Sequence, residues 1–276
     1  MAGYVDFKTA ESVPSGGPSP VIWADCPVIT FERDPGKGLH LFDDFLSGQI
    51  ANDATRVGQY FSLVGTNPDV NSVTDEVSGV LLVAGSGAGD DEAYLVSNIL
   101  YELKKENHKK MWFEAKIKFT DADQDATFLC GLGEASLLAA EALVDEGASR
   151  SHINDYDYIG FHSDNDGTNM DNIDAVYHED GDSGVVTKVD EEVVTITAGA
   201  TTYDDKYIQF GMKYDGVDTV VFYIDGVATG TTLSVDDFAT NTADELDPLG
   251  IIIGYKDLAG AVSGYSIDWA RFACER

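Results

Sequence analysis

The chain has 276 residues, with 17 Lys and Arg against 49 Asp and Glu, a formal net charge of −32. A surface of that sign repels nucleic-acid phosphate and anionic membranes, and no basic domain offsets it, so both partner classes are excluded. Apolar residues make up 43% and aromatics 11%, enough to bury a large core. No apolar run approaches the roughly 18–20 residues that a spanning helix needs.

The opening, MAGYVDFKTAE, lacks the basic-then-apolar order of a secretory signal. Cys26, Cys130 and Cys274 are too few and too scattered for a disulfide scaffold, so reduced thiols made in a cytoplasm are expected. Five of the seven prolines (Pro14, Pro18, Pro20, Pro27, Pro35) precede residue 36. Residues 1–40 therefore read as an extended Pro-rich arm and not as a core strand. Val21, Ile22, Trp23, Val28, Ile29 and Phe31 are too apolar to be left in water. The arm should dock on its own domain or on a neighbouring subunit.

From residue 41 to 276 short β-branched and aromatic runs recur, broken by Gly, Asp and Asn. Strands are predicted at Gly79–Ala84, Ala93–Leu100, Met111–Phe119, Thr127–Leu132, Tyr158–His162 and Ala175–His178. Further strands are predicted at Val193–Thr197, Tyr207–Tyr214, Thr219–Ile224, Gly250–Gly254 and Tyr265–Phe272. Met111–Phe119 alternates strictly, with Trp112, Glu114, Lys116 and Lys118 opposite its apolar face. Asp225-Gly226 is a strong hairpin signal of type I′. Only Ala135–Val144 favours helix. The fold class expected is all-β, an antiparallel two-sheet jelly-roll sandwich behind the arm.

Chemistry-bearing patterns are sparse. Asp164, Asp166 and Asp171, with Asn169, Asn172 and Asp174, form a loop of hard oxygen ligands that suit Ca²⁺. Its spacing is not that of an EF-hand, and in so acidic a chain a solvated loop is the leading reading. No other cofactor is expected. Gly85, Gly87 and Gly89 imitate a phosphate loop, but Asp90 and Asp91 would face the phosphates, so that reading is rejected. The five histidines show no metal spacing, and no GxSxG elbow is present. Lys104–Lys110 (KKENHKK) is the one basic cluster, either a solvated hairpin tip or a contact to an acidic partner. Trp112 and Tyr156, with Tyr158 and Trp269, are candidates to stack on sugars by residue type.

Several segments then follow one another in a familiar order. They are FDDFLSG (Phe42–Gly48), SGVLLVAG (Ser78–Gly85), MWFEAKIKF (Met111–Phe119), FLCGLGEA (Phe128–Ala135) and DYIGFHSDND (Asp157–Asp166). KYIQFGMKYDGVDTVVFYIDG (Lys206–Gly226) and SIDWARF (Ser266–Phe272) complete the series. The chain resembles the concanavalin A-like lectin/glucanase jelly roll, including its laminin-G-like relatives, over residues 41–276. Versions with a similar opening and close resemble proteins carried on tailed bacteriophage virions.

The resemblance implies a non-enzymatic capsid decoration (cement) protein, made in the host cytoplasm and bound to the outer surface of the virion. Its partners would be the major capsid protein and further copies of itself, with a trimer favoured. Val21, Ile22, Trp23 and Phe31 would be the apolar anchors on the partner. The alternative is a carbohydrate-binding module on a tail or fibre, using Trp112 and Tyr156. Glucanases of this fold carry their carboxylates together on one strand. Here the matching strand offers only Glu114, with Lys116 and Lys118 where further acids would stand, so no enzyme is expected. Glu114 itself is expected to face solvent or to pair with a neighbouring lysine.

Overall fold

Met111–Phe119 forms one strand over its full length, because its period-two pattern gives it a wholly apolar face to bury. The same logic repeats along the chain and yields two stacked sheets. The structure is a computed structural model and describes residues 17–45, 57, 60–72, 79–85, 91–119, 126–134, 143–145, 151–153, 156–165, 170–179, 187–195, 206–238, 248–257 and 264–276.

Two short helices come first, α1 (Pro20–Trp23) and α2 (Val28–Arg33). The strands β1 (Gly38–Asp43), β2 (Phe61–Val64), β3 (Pro68–Ser72), β4 (Leu81–Gly85), β5 (Glu92–Tyr101), β6 (Met111–Phe119) and β7 (Ala126–Glu134) follow. Then come β8 (Leu143–Asp145), β9 (Ser151–Ile153), β10 (Tyr158–Asn165), β11 (Met170–His178), β12 (Thr187–Thr195), β13 (Ile208–Tyr214), β14 (Thr219–Ile224) and β15 (Val227–Ser234). A helical turn α3 (Val235–Phe238) leads on to β16 (Leu249–Asp257) and β17 (Gly264–Glu275).

The first sheet has eight strands, in the order β15-β14-β13-β6-β17-β4-β3, with β1 also pairing with β17. One edge of β17 is shared end to end: β4 takes Gly264–Ile267 and β1 takes Ala270–Glu275. The second sheet has seven strands, β12-β11-β10-β7-β16-β5-β2, and β8 and β9 form a separate pair. All pairings are antiparallel. This is the expected all-β jelly-roll sandwich.

The core lies between the inner faces of the two sheets. Phe119, Phe128, Phe161, Phe210 and Phe222 meet there with centroids 4.8–5.7 Å apart, two of the contacts edge-on. Edge-on contact places the positive ring edge against the negative face of its neighbour. A bulge between Ile267 and Trp269 changes the parity of β17. Tyr265 and Ile267 face the core before it, and Ala270, Phe272 and Cys274 after it. Trp269, Arg271 and Ala273 are thereby left on the outer face. The Asp225-Gly226 turn has positive φ at both residues, 51° and 75°, as a type I′ turn requires.

Three expectations need correction. Residues 17–37 are not uniformly extended: Pro20 stands in the first turn of α1, where its missing N–H is no loss and its φ is already helical. The sandwich begins at Gly38 and not at residue 41, since β1 borrows its pairing from the far end of the chain. Leu143 and Val144, the end of the predicted helix, belong instead to strand β8, whose pairing with β9 overrides local propensity. Residues 135–142 of that prediction lie outside the described residues, as do Gly87 and Gly89 of the glycine run.

Truncation of Phe210 to Ala removes a ring that touches three others, and is expected to lower stability by about 3–5 kcal/mol. Val227→Ala, at a residue 70% exposed, should stay within about 0.5 kcal/mol of the parent. Urea unfolding curves of the two variants check both values.

Candidate functional site

The outer face of the eight-stranded sheet carries the side chains that alternate with the core. They are Phe42 on β1, Trp112, Glu114 and Lys116 on β6, Trp269 and Arg271 on β17, and Tyr223 on β14. Residues 17–33 cross one end of this face as a strap. Ile22, Trp23 and Phe31 are buried there against Trp112, Tyr223 and Ala273, forming a second apolar cluster outside the main core. Gly211 on β13 makes this possible. A Cβ at that position would stand 2.4 Å from Cδ1 of Ile22.

Glu114 lies beneath the strap with no exposure. Its Oε2 accepts from the Ser19 amide at 2.9 Å and from Trp23 Nε1 at 2.7 Å. The Ser19 amide is also 3.2 Å from Oε1. In the β6–β17 pairing Arg271 stands directly opposite Glu114. Its guanidinium lies 4.0 Å from the Trp23 ring centroid, a cation–π contact. Arg271 Nε donates to His40 Nε2 at 3.0 Å. The His40 proton therefore sits on Nδ1, which faces Glu32 at 3.5 Å. A second anchor is Asp25, which accepts from Trp112 Nε1 at 3.0 Å and pairs with Lys110 and Lys213 at 3.0 and 2.7 Å.

Burial pushes Glu114 up to about 7, against the bonds from Ser19 and Trp23 and the charge of Arg271. Burial, together with Arg271, holds His40 down at about 4. Burial alone would raise Asp25, but the bonds from Lys213, Lys110 and Trp112 overcome it and hold the acid at about 2. The site thus joins a carboxyl poised near neutrality, a fixed cation and a flat apolar slot. It holds the Trp23 ring, whose edge N–H bonds to the carboxylate and whose face lies on the guanidinium. Among the described residues, no three His, Cys, Asp or Glu side chains gather as a metal centre.

The sequence-predicted residues are distributed as follows. Ile22, Trp23 and Phe31 sit on their own domain, at most 4% exposed, so in this state they are not anchors on a partner. Val21 faces outward, 59% exposed. Trp112 is not an open sugar platform, because α1 and α2 cover it. Tyr156 packs on the outer face of the other sheet, so the fold keeps it apart from Trp112. Asp164 and Asp171 lie on β10 and β11 near the hairpin end, and Asp166 is outside the described residues. Glu114 is neither solvent-facing nor lysine-paired, since the strap reaches it first. Three of the four lysines of the cluster have partners within the chain, all at exposed positions: Lys104 pairs with Glu102, Lys105 with Asp236 and Lys110 with Asp25. Arg271, His40, Ser19 and Gly211 were missed. Arg271 is legible as the polar residue of an amphipathic strand, but its register against Glu114 is not.

The chain matches no protein-family model and no curated protein. Its likenesses are to solved structures. One is an endo-1,3-β-glucanase from Streptomyces sioyaensis, 12% identical, covering 87% of this chain and 98% of that one, with a TM-score of 0.52. Another is an endo-β-1,3-glucanase from Pyrococcus furiosus, 12% identical over 86% and 94%, TM-score 0.51. A third is peanut lectin with a nine-residue peptide, PVIWSSATG, 11% identical over 86% and 97%, TM-score 0.51.

At such identity these likenesses carry the fold, the lectin/glucanase jelly roll. They correct the expectation of a protein that is not an enzyme: two of the three are glucanases, so this architecture is no ground for excluding catalysis. They lend nothing to a virion or capsid role.

Glu114 makes a definite prediction about pH. Its folded-state pKa is raised, so its contribution to stability is greatest below the ordinary carboxylate range and is lost as pH rises toward about 7. His40, held low, acts in the opposite sense as pH falls from its ordinary value toward about 4. Comparing wild type with Glu114→Gln at each pH cancels the His40 effect. The difference in urea midpoint should shift in favour of the Gln variant between pH 5 and pH 8.

Proposed function

We propose that the protein is a carbohydrate-binding jelly roll whose ligand surface is the outer face of the eight-stranded sheet. The observation that carries this reading is the seat of Trp23. A flat ring lies on the Arg271 guanidinium while its edge N–H donates to the Glu114 carboxylate. A pyranose presents the same two features, an apolar face and donors around its rim. The uncovered end of the face continues the pattern. Phe42 is 40% exposed and its ring leans on Trp269, 6.3 Å away. Beside them Lys116 and Asp268 form an ion pair at 2.6 Å.

The names of the similar structures, a lectin and two β-1,3-glucanases, support the same ligand class. The peptide found with peanut lectin opens on Pro-Val-Ile-Trp, the four residues of α1.

The test is binding of the full-length chain to β-1,3-glucan oligosaccharides and to a broad glycan array, with a reducing-sugar assay on the same glycans. Saturable binding is expected, weakened about tenfold or more by Phe42→Ala, a loss of about 1.4 kcal/mol. Absence of binding to every glycan, both by the full-length chain and by a Trp23→Ala variant in which the ring slot is vacant, overturns the reading.

A further inference from the structure

We propose that residues 17–33 are an autoinhibitory strap, occupying the ring subsite of the ligand face and having to leave before a glycan takes it. This rests on the carbohydrate reading above. The strap joins the sandwich only through residues 34–37, all exposed, before β1 begins. It adds no strand to either sheet. What holds it is a set of contacts that involve side chains: the Ser19 amide and Trp23 on Glu114, Trp23 on Arg271, Gln209 on the Gly17 carbonyl, Ile22 over Gly211, and Asp25 on Lys110 and Lys213.

Glu114 and Arg271 are also the groups that a sugar hydroxyl or ring would engage, so strap and ligand exclude each other by direct overlap. When the strap leaves, Trp112 is uncovered next to them, and the exposed Phe42, whose ring leans on the buried Trp269, continues the face across the sheet. Departure of Ile22 also uncovers the backbone at Gly211, against which its side chain rests. Affinity then scales with the open fraction: a strap open in about one molecule in ten weakens apparent binding about tenfold.

The buried tryptophans supply the readout, for Trp23, Trp112 and Trp269 are each 4% exposed or less. Trp23→Ala in the full-length chain clears the ring slot and leaves Trp112 and Trp269 as reporters. Acrylamide quenching should rise several-fold as Trp112 is uncovered, and oligosaccharide affinity should rise about tenfold. Val21→Ala, on the outward side of the same helix, should change neither. Ile22→Asp is the second variant, since a charge cannot be seated over Gly211.

If Trp112 stays shielded in both variants, the strap is a permanent part of the sandwich and the inference falls. If Trp112 opens but wild type and variants bind the same glycan equally, the inference again falls while the carbohydrate reading stands. If Trp112 opens and no form binds any glycan, it is the carbohydrate reading that fails, and the inference with it.

Discussion

A fully buried carboxylate must be met by donors, and Glu114 on the outer face of the eight-stranded sheet is met by the strap. An uncompensated charge there would forfeit several kcal/mol, so the positions of Ser19 and Trp23 are tightly constrained. From that point the rest of the outer face follows. Trp23 lies on Arg271, Arg271 turns to His40, and Ile22 drops into the space that Gly211 leaves. Glu114 is the point where strap, β6 and β17 are joined through one group.

The sandwich beneath is held by different physics. Its aromatic core needs no charge and no special donor, only alternation and close packing. The outer face is where this acidic chain concentrates scarce cations. Lys110 and Lys213 converge on Asp25, Lys116 pairs with Asp268, and on the other sheet Lys256 pairs with Glu92 at 2.9 Å with little exposure. The more exposed of these, the Lys110–Asp25 pair, contributes little by itself. Their effect is positional, fixing where the strap and the strand ends lie.

The same jelly roll serves lectins and glucanases, so architecture alone does not choose between binding and catalysis. On the outer face, a ring stacked on a guanidinium with its edge bonded to a carboxylate is made from the chain's own residues. Tethering raises the effective concentration of such an internal partner.

Period-two alternation in Met111–Phe119 and Ile208–Tyr214, and the Asp-Gly turn at 225–226, were readable along the chain because each depends on neighbours a few residues apart. They suffice for an all-β sandwich and for assigning Trp112 and Glu114 to one face. The short strand β1 left little trace, since its pairing partner β17 lies at the far end of the chain and supplies most of its stability. The candidate site was legible only as residue types. Whether Glu114 met water, a lysine or the strap depended on a contact across 95 positions. Whether Trp112 was open or covered depended on where α1 and α2 came to rest. Local sequence determined the faces of the strands. Tertiary structure alone decided what covers them, because burial, register across β17 and the space above Gly211 exist only once distant segments have met.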